Sequence, residues 1–164
     1  MKIALICPSN MLYMPYVNNY TAVLDTYGVE YDIINWDRFH IEESNLLSYK
    51  DFKIGHSRND IDYYKYKKYI LRKLNQHNYD KIIVFGIQLS YFLKKYLLKY
   101  YKGNFILDIR DYNKIINLFN FKKIVNVSFN TVISSPDYKK WLPKSEKYLV
   151  NHNTQIHTIN DLKD

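Results

Sequence analysis

The sequence predicts an α/β domain: a mainly parallel six-stranded sheet with helices on both faces. Three observations carry this prediction. Six short apolar runs alternate with segments of helical periodicity along the chain. Those runs are near-continuous instead of alternating apolar with polar, as strands covered on both faces require. Glycine, proline or polar clusters punctuate their ends. The 164 residues, 47% hydrophobic and 24% charged, suffice for one domain with its own core.

The elements follow in order. Lys2-Ile-Ala-Leu-Ile-Cys7 is a buried first strand that opens into a Pro8-Ser9-Asn10 turn. Met14-Pro15 starts a helix with proline in its first turn. Its packed face is Tyr16, Tyr20, Val23/Leu24 and Tyr27, and Gly28 stops it. Val29 to Ile34 is β-branched and forms the second strand. Residues 36–60 form a long irregular connection, a length that marks a functional loop or a disordered one. A helix from Ile61 to His77 precedes the third strand, Lys81–Phe85, which Gly86 ends. Gln88 to Tyr101 is helical up to Gly103, and Asn104–Ile109 is the fourth strand. Tyr112–Phe121 is a short helix, Thr131–Ser134 the fifth strand, Pro136–Trp141 a helical turn or two, and Lys147–Val150 the sixth strand. The layers make a Rossmann-like three-layer domain over residues 1–152, with a polar, linker-like tail over 153–164.

Composition narrows the function classes. A single cysteine, Cys7, excludes a disulfide framework and fits a reducing compartment. No apolar run is long enough to cross a bilayer, and the apolar N-terminal stretch is too short for a signal peptide. The net charge is +8, yet only four of the 24 basic residues are arginine, the residue that reads bases and phosphates bidentately. No nucleic-acid-binding motif is present, and no nucleic-acid partner is expected. The five histidines are dispersed, so no metal site is expected. The first turn lacks G-x-G-x-x-G, no G-x-x-x-x-G-K-[ST] occurs, and no G-x-S-x-G elbow occurs. Dinucleotide, P-loop and serine-triad chemistries therefore have no support, and no cofactor is expected.

In open α/β sheets, ligands bind beyond the carboxyl ends of the strands, so the residues following each strand are the ones to read. Ser9 and Asn10 follow the first strand, where they could cap a helix or present its N-terminus to an anion. Asn35-Trp36-Asp37-Arg38 follows the second and Gly86-Ile87-Gln88 the third. Asp108-Ile109-Arg110-Asp111 ends the fourth strand with three charges, and alternation puts Asp108 and Arg110 on one side. Such a cluster is either a salt-bridged brace for a loop or a catalytic group. Ser134-Ser135 and Asn151-His152 close the series.

These strand ends, taken in order, resemble the N-terminal domain of family 4-type glycosyltransferases of the GT-B fold, particularly bacterial enzymes of capsular or other surface-polysaccharide synthesis. The sharpest pieces are D-x-R-D at Asp108–Asp111, V-I-S-S at Val132–Ser135 with a short helix behind it, and the closing L-V-N at Leu149–Asn151. The first loop lacks the glycine pair many members carry, and His152 stands where a glycine is usual. The resemblance implies an acceptor-side domain, with a nucleotide-sugar donor bound mainly by a C-terminal domain that these residues do not include. It implies a saccharide or lipid-linked acceptor and a cytoplasmic protein, peripheral on the inner face of the membrane. It casts Asp111 and Arg110 as catalytic, with Asp111 orienting or partly deprotonating the acceptor hydroxyl. Ser9, Asn10, Tyr13, Gly86, Gln88, Asp108 and Asn151 would bind substrate. A standalone flavodoxin-like module that binds a nucleotide or a protein without catalysis is the alternative.

The charge itself is local. Residues 61–102 hold ten basic and two acidic side chains, a balance equal to the whole net charge. On the predicted helices, Lys65, Lys68 and Arg72 share one face, and Lys94, Lys95, Lys99 and Lys102 share another, each opposite an apolar face. The two faces are either solvated surface or a surface for anionic lipid.

Overall fold

A computed structural model describes residues 1–152. The sheet has seven strands: β1 Lys2–Cys7, β2 Glu30–Trp36, β3 Leu47–Tyr49, β4 Lys81–Phe85, β5 Phe105–Ile109, β6 Asn130–Ile133 and β7 Tyr148–Val150. Their order is β3-β2-β1-β4-β5-β6-β7, and every pairing is parallel. The expected six strands thus become seven, and the mainly parallel sheet is parallel throughout. The addition is β3, a three-residue edge strand inside the 36–60 connection. Its residues are half-buried and make no apolar run, so periodicity offers nothing to detect.

Four helices cover the sheet: α1 Val17–Thr26, α2 Asp60–Gln76, α3 Ile87–Tyr100 and α4 Phe121–Val127. On one face, Met14 and Val17 pack against Ile3, Leu5, Cys7, Ile83 and Phe85. On the other, Tyr66 and Ile70 of α2, Leu93 and Leu97 of α3, and Ile124 of α4 bury Ile6, Ile82, Val84 and Leu107. Burying a large aliphatic side chain contributes roughly 1.5–3 kcal/mol, so this second layer dominates stability.

Local chemistry sets the element ends. Asn59 accepts from the Asp62 amide while Asp62 accepts from the Asn59 amide, a reciprocal cap at the start of α2. Three details depart from expectation. The first helix begins at Val17, with a single 3-10 turn at Met11–Tyr13 before it. Tyr16, Tyr20 and Leu24 pack on the sheet, whereas Val23 and Tyr27 are exposed because α1 rests on the sheet along a narrow stripe. The segment after β5 is a 3-10 turn, Lys114–Leu118, followed by α4, whose β-branched residues disguise it as non-helical. The tail over 153–164 lies outside the described residues. Among the described residues, no helix is long and apolar enough to cross a membrane.

Candidate functional site

The order of the strands reverses between β1 and β4, with β2 on one flank and β5 on the other. A cleft of about 200 Å³ opens there, at the carboxyl ends of β1, β4 and β5. Pro8, Tyr16 and Tyr63 form one wall, Gly86 and Gln88 another, and Arg110 to Asn113 the third. This is the switch point at which open α/β sheets bind ligands.

Gly86 makes the sharp exit from β4. Its φ of +93° is a backbone state that a side chain would strain, and its amide donates to the Asp108 carbonyl at 2.8 Å. α3 starts directly behind it, with no side-chain cap and no acid in its first turn. An uncapped helix start of this kind favours negative charge in the cleft. Gln88 sits in that first turn, and its Oε1 accepts from Asn113 Nδ2 at 3.4 Å.

The end of β5 supplies the charged wall. Arg110 donates through Nε and Nη2 to the two oxygens of Asp108, the second contact at 2.7 Å. Nη1 donates to the Asn151 carbonyl at 2.8 Å, tying β5 to the end of β7. Tyr20 of α1 donates its hydroxyl to Asp108, and Tyr138 donates to the Arg110 carbonyl. Asp108 is fully buried and Arg110 nearly so. Burial opposes the charge on Arg110, but its bonds to Asp108 outweigh that and hold the guanidinium above its ordinary pKa. Burial, reinforced by the Asp108 charge, pushes the Tyr16 and Tyr20 hydroxyls up, so both stay neutral donors. Arg110 also lies 4.7 Å from the centre of the Tyr16 ring. Asp111 is exposed beside this brace.

Of the expected site residues, Gly86, Gln88, Arg110 and Asp111 line the cleft. Asp108 stands behind Arg110, and Asn151 contributes its backbone carbonyl. Asn10 is buried at the end of β1: its Nδ2 donates to Asp37 at 2.6 Å and its Oδ1 accepts from the Arg38 and Phe39 amides. Its side chain shapes the first loop and is occupied within the protein. Ser9 precedes it with its hydroxyl buried. Tyr13 lies beyond, half-exposed, in a cluster with Phe39 and His56. Lys65, Lys68, Arg72, Lys95, Lys99 and Lys102 are exposed on α2, α3 and the turn after α3. Lys94 is half-buried with its ammonium 3.6 Å from the Tyr91 ring centre, and burial, Lys67 and Lys95 lower its pKa.

Tyr16, Tyr63, Tyr112 and Asn113 line the cleft without having been singled out in the sequence. The D-x-R-D run pointed to the last two by adjacency. Tyr16 and Tyr63 carry no such signal, since tyrosines at helical spacing read as packing.

Fold and cleft together define a Rossmann-like α/β domain with a cleft at its switch point. Among solved structures, MurG of Acinetobacter baumannii matches it with a TM-score of 0.55 over 96% of this chain and 46% of that chain, at 13% identity. MurG is a glycosyltransferase of the GT-B fold. At that identity the likeness is one of fold, and this chain spans less than half the length of the structure it matches. No protein-family model and no curated protein matches the sequence.

Proposed function

We propose that residues 1–152 form the acceptor-side domain of a GT-B glycosyltransferase, which moves a sugar from a nucleotide-sugar donor to a saccharide acceptor. The carrying observation is the switch-point cleft walled by Gly86, Gln88, Arg110 and Asp111 in a domain that shares its fold with part of MurG. In this reading a second domain binds most of the donor and closes over the cleft, excluding water. Asp111, exposed at the cleft wall, orients the acceptor hydroxyl and takes up its proton as the new glycosidic bond forms and the sugar's bond to the diphosphate breaks, the nucleoside diphosphate leaving. Arg110 is a positioning residue: with its charge matched by Asp108, it holds the β5 end and thereby Asp111. The family 4 and surface-polysaccharide assignment rests on the D-x-R-D and V-I-S-S segments and the closing Leu149–Asn151.

The acceptor in this reading is lipid-linked, and the protein works in the cytoplasm against the inner membrane face. Support comes from the exposed Lys65, Lys68 and Arg72 on α2 and Lys95, Lys99 and Lys102 at α3. Near an anionic surface each such residue contributes on the order of 1 kcal/mol.

NMR titration of the chain with neutral oligosaccharides, a uridine-diphosphate sugar and flavin mononucleotide tests the reading. Saccharides should shift the Gly86 and Gln88 amides, and Asp111→Asn should weaken that response. The isolated nucleotides should bind weakly or not at all. Tight flavin or nucleotide binding with no saccharide response would instead make the chain a flavodoxin-like module. Sedimentation with anionic but not neutral vesicles, reversed by salt, is expected for the membrane-facing surface.

A further inference from the structure

The end of β2 holds a charge that the protein leaves unmatched. Trp36, Asp37 and Arg38 are all buried. Alternation sends Trp36 and Arg38 toward α2, while Asp37 turns to Asn10 in the first loop. The Arg38 guanidinium lies 4.5 Å from the centre of the Trp36 ring and 5.4 Å from that of Tyr63. Nη1 donates to the His56 carbonyl at 2.8 Å and Nη2 to the Tyr63 hydroxyl at 2.7 Å. A guanidinium has five N–H groups, so three remain, and Nε is buried without an acceptor. No carboxylate pairs with Arg38 among the described residues. Asp51, in the same connection, is held by Arg58, which donates to its two oxygens at 2.8 and 2.9 Å. Arg58 itself lies 5.3 Å from the same Trp36 ring.

The buried polar atoms without partners lie at two neighbouring strand ends, and those of Trp36 and Arg38 share a face. Ser9 Oγ, Asn35 Nδ2, Trp36 Nε1 and Arg38 Nε are buried without hydrogen-bond partners, and all four belong to the ends of β1 and β2. Burying a cation among two ring faces, a carbonyl and a phenol is unfavourable unless an anion completes its shell. Beside it stands an aromatic ledge, with Tyr13, Phe39 and His56 ring centres 4.7 to 5.0 Å apart. Tyr13 and His56 are exposed, and a ledge of this kind accepts the apolar face of a sugar ring. Tyr63, which takes the Nη2 bond, also lines the switch-point cleft. Tyr63 is therefore shared by the two regions.

We propose that Arg38, with the Tyr13–Phe39–His56 ledge, recognises a negatively charged group on the saccharide that enters the cleft, either the carboxylate of a uronic acid or a sugar phosphate. This identifies the acceptor as anionic and rests on the saccharide reading of the cleft. Arg38 is a specificity residue in this scheme, outside the group that handles the acceptor hydroxyl.

Titration of the chain with D-glucuronate, α-D-glucose 1-phosphate and D-glucose, followed by NMR, tests it. The Arg38 Nε–H and Trp36 Nε1–H signals report the anion site, and the Gly86 and Gln88 amides report the cleft. Both anions should shift the first pair saturably and bind about tenfold more tightly than glucose. The tighter of the two identifies carboxylate or phosphate as the natural group. Arg38→Gln should erase the preference, and Arg38→Lys should keep part of it. Tyr13→Ala, at an exposed ring, should weaken both sugar anions without unfolding the protein. Equal affinity for glucose and glucuronate, with shifts at Gly86 and Gln88, would overturn the anion site and leave the cleft reading intact. Shifts at Arg38 and Trp36 with none at Gly86 or Gln88 for any sugar would uphold the anion site and refute the cleft. Silence at Arg38 and Trp36 with every probe would overturn the proposal.

Discussion

Arg110 and Arg38 are two nearly buried arginines at the carboxyl end of one sheet, and they are treated in opposite ways. Arg110 finds a carboxylate two residues back and grips it with two N–H groups. Arg38 follows a carboxylate directly and does not touch it. Strand parity explains the difference. Residues i and i+2 share a face, so Asp108 meets Arg110, whereas i and i+1 point apart, so Asp37 goes to the first loop and Arg38 to α2. One arginine completes a closed brace that fixes a loop. The other keeps an open shell of donors.

The largest test of that contrast is removal of each arginine's prospective partner or charge. Asp108→Asn strands Arg110 and the Tyr20 hydroxyl in the interior and should destabilise the fold by about 3–5 kcal/mol. Arg38→Gln removes a charge that has no carboxylate to orphan and should cost only about 1 kcal/mol, from two hydrogen bonds and the stacking on Trp36. Urea denaturation of both variants measures the difference. Equal losses would make Arg38 a structural brace like Arg110 and dissolve the comparison.

A smaller effect is expected where the Arg110 brace meets the cleft. Gly86 hangs from the Asp108 carbonyl at φ +93°, and a Cβ there would meet nothing within 4 Å. Gly86→Ala should therefore cost about 1–3 kcal/mol of purely conformational strain. The same variant should weaken saccharide binding at the cleft while leaving the anion response of Arg38 unchanged. Loss of both responses together would mean the two regions move as one unit.

The two regions were also unequally legible in the sequence. The long strands announced themselves through near-continuous Ile, Leu and Val runs, and the strand-and-helix alternation marked the sheet as mainly parallel. D-x-R-D was visible because its partners are two residues apart on one strand. The surroundings of Arg38 were not, since Trp36 ends β2 while Tyr13, Phe39, His56 and Arg58 come from the first turn and from a connection with no periodicity. Only the fold brings them together, through the capped start of α2 and the edge strand β3, which is too short and too polar to read. Asn10 shows the converse. Its place after β1 suggested substrate contact, but its hydrogen bonds go to Asp37, Arg38 and Phe39, a pattern no spacing rule encodes.

The finest test asks whether Asp37 secretly compensates Arg38. Burial pushes the Asp37 carboxyl up, but the Asn10 amide, the Ile41 and Glu42 backbone amides and the Lys50 charge outweigh it, leaving the pKa below its ordinary 3.8. Arg38 is not among those causes. A carboxyl with a lowered folded pKa stabilises the protein above its unfolded pKa, roughly 3.9, and that stability is lost as pH falls through the folded value. Asp37→Asn should therefore flatten part of the decline in stability below about pH 4, with Asp32 and Asp62, also held low, supplying the rest. Arg38→Gln should leave the acid titration of Asp37 in place, as followed by carboxyl-carbon NMR. An upward move of that titration in Arg38→Gln would show the two charges to be coupled after all. The unmatched guanidinium would then be a compensated pair seen across a strand, and the anionic ligand would lose its reason to bind there.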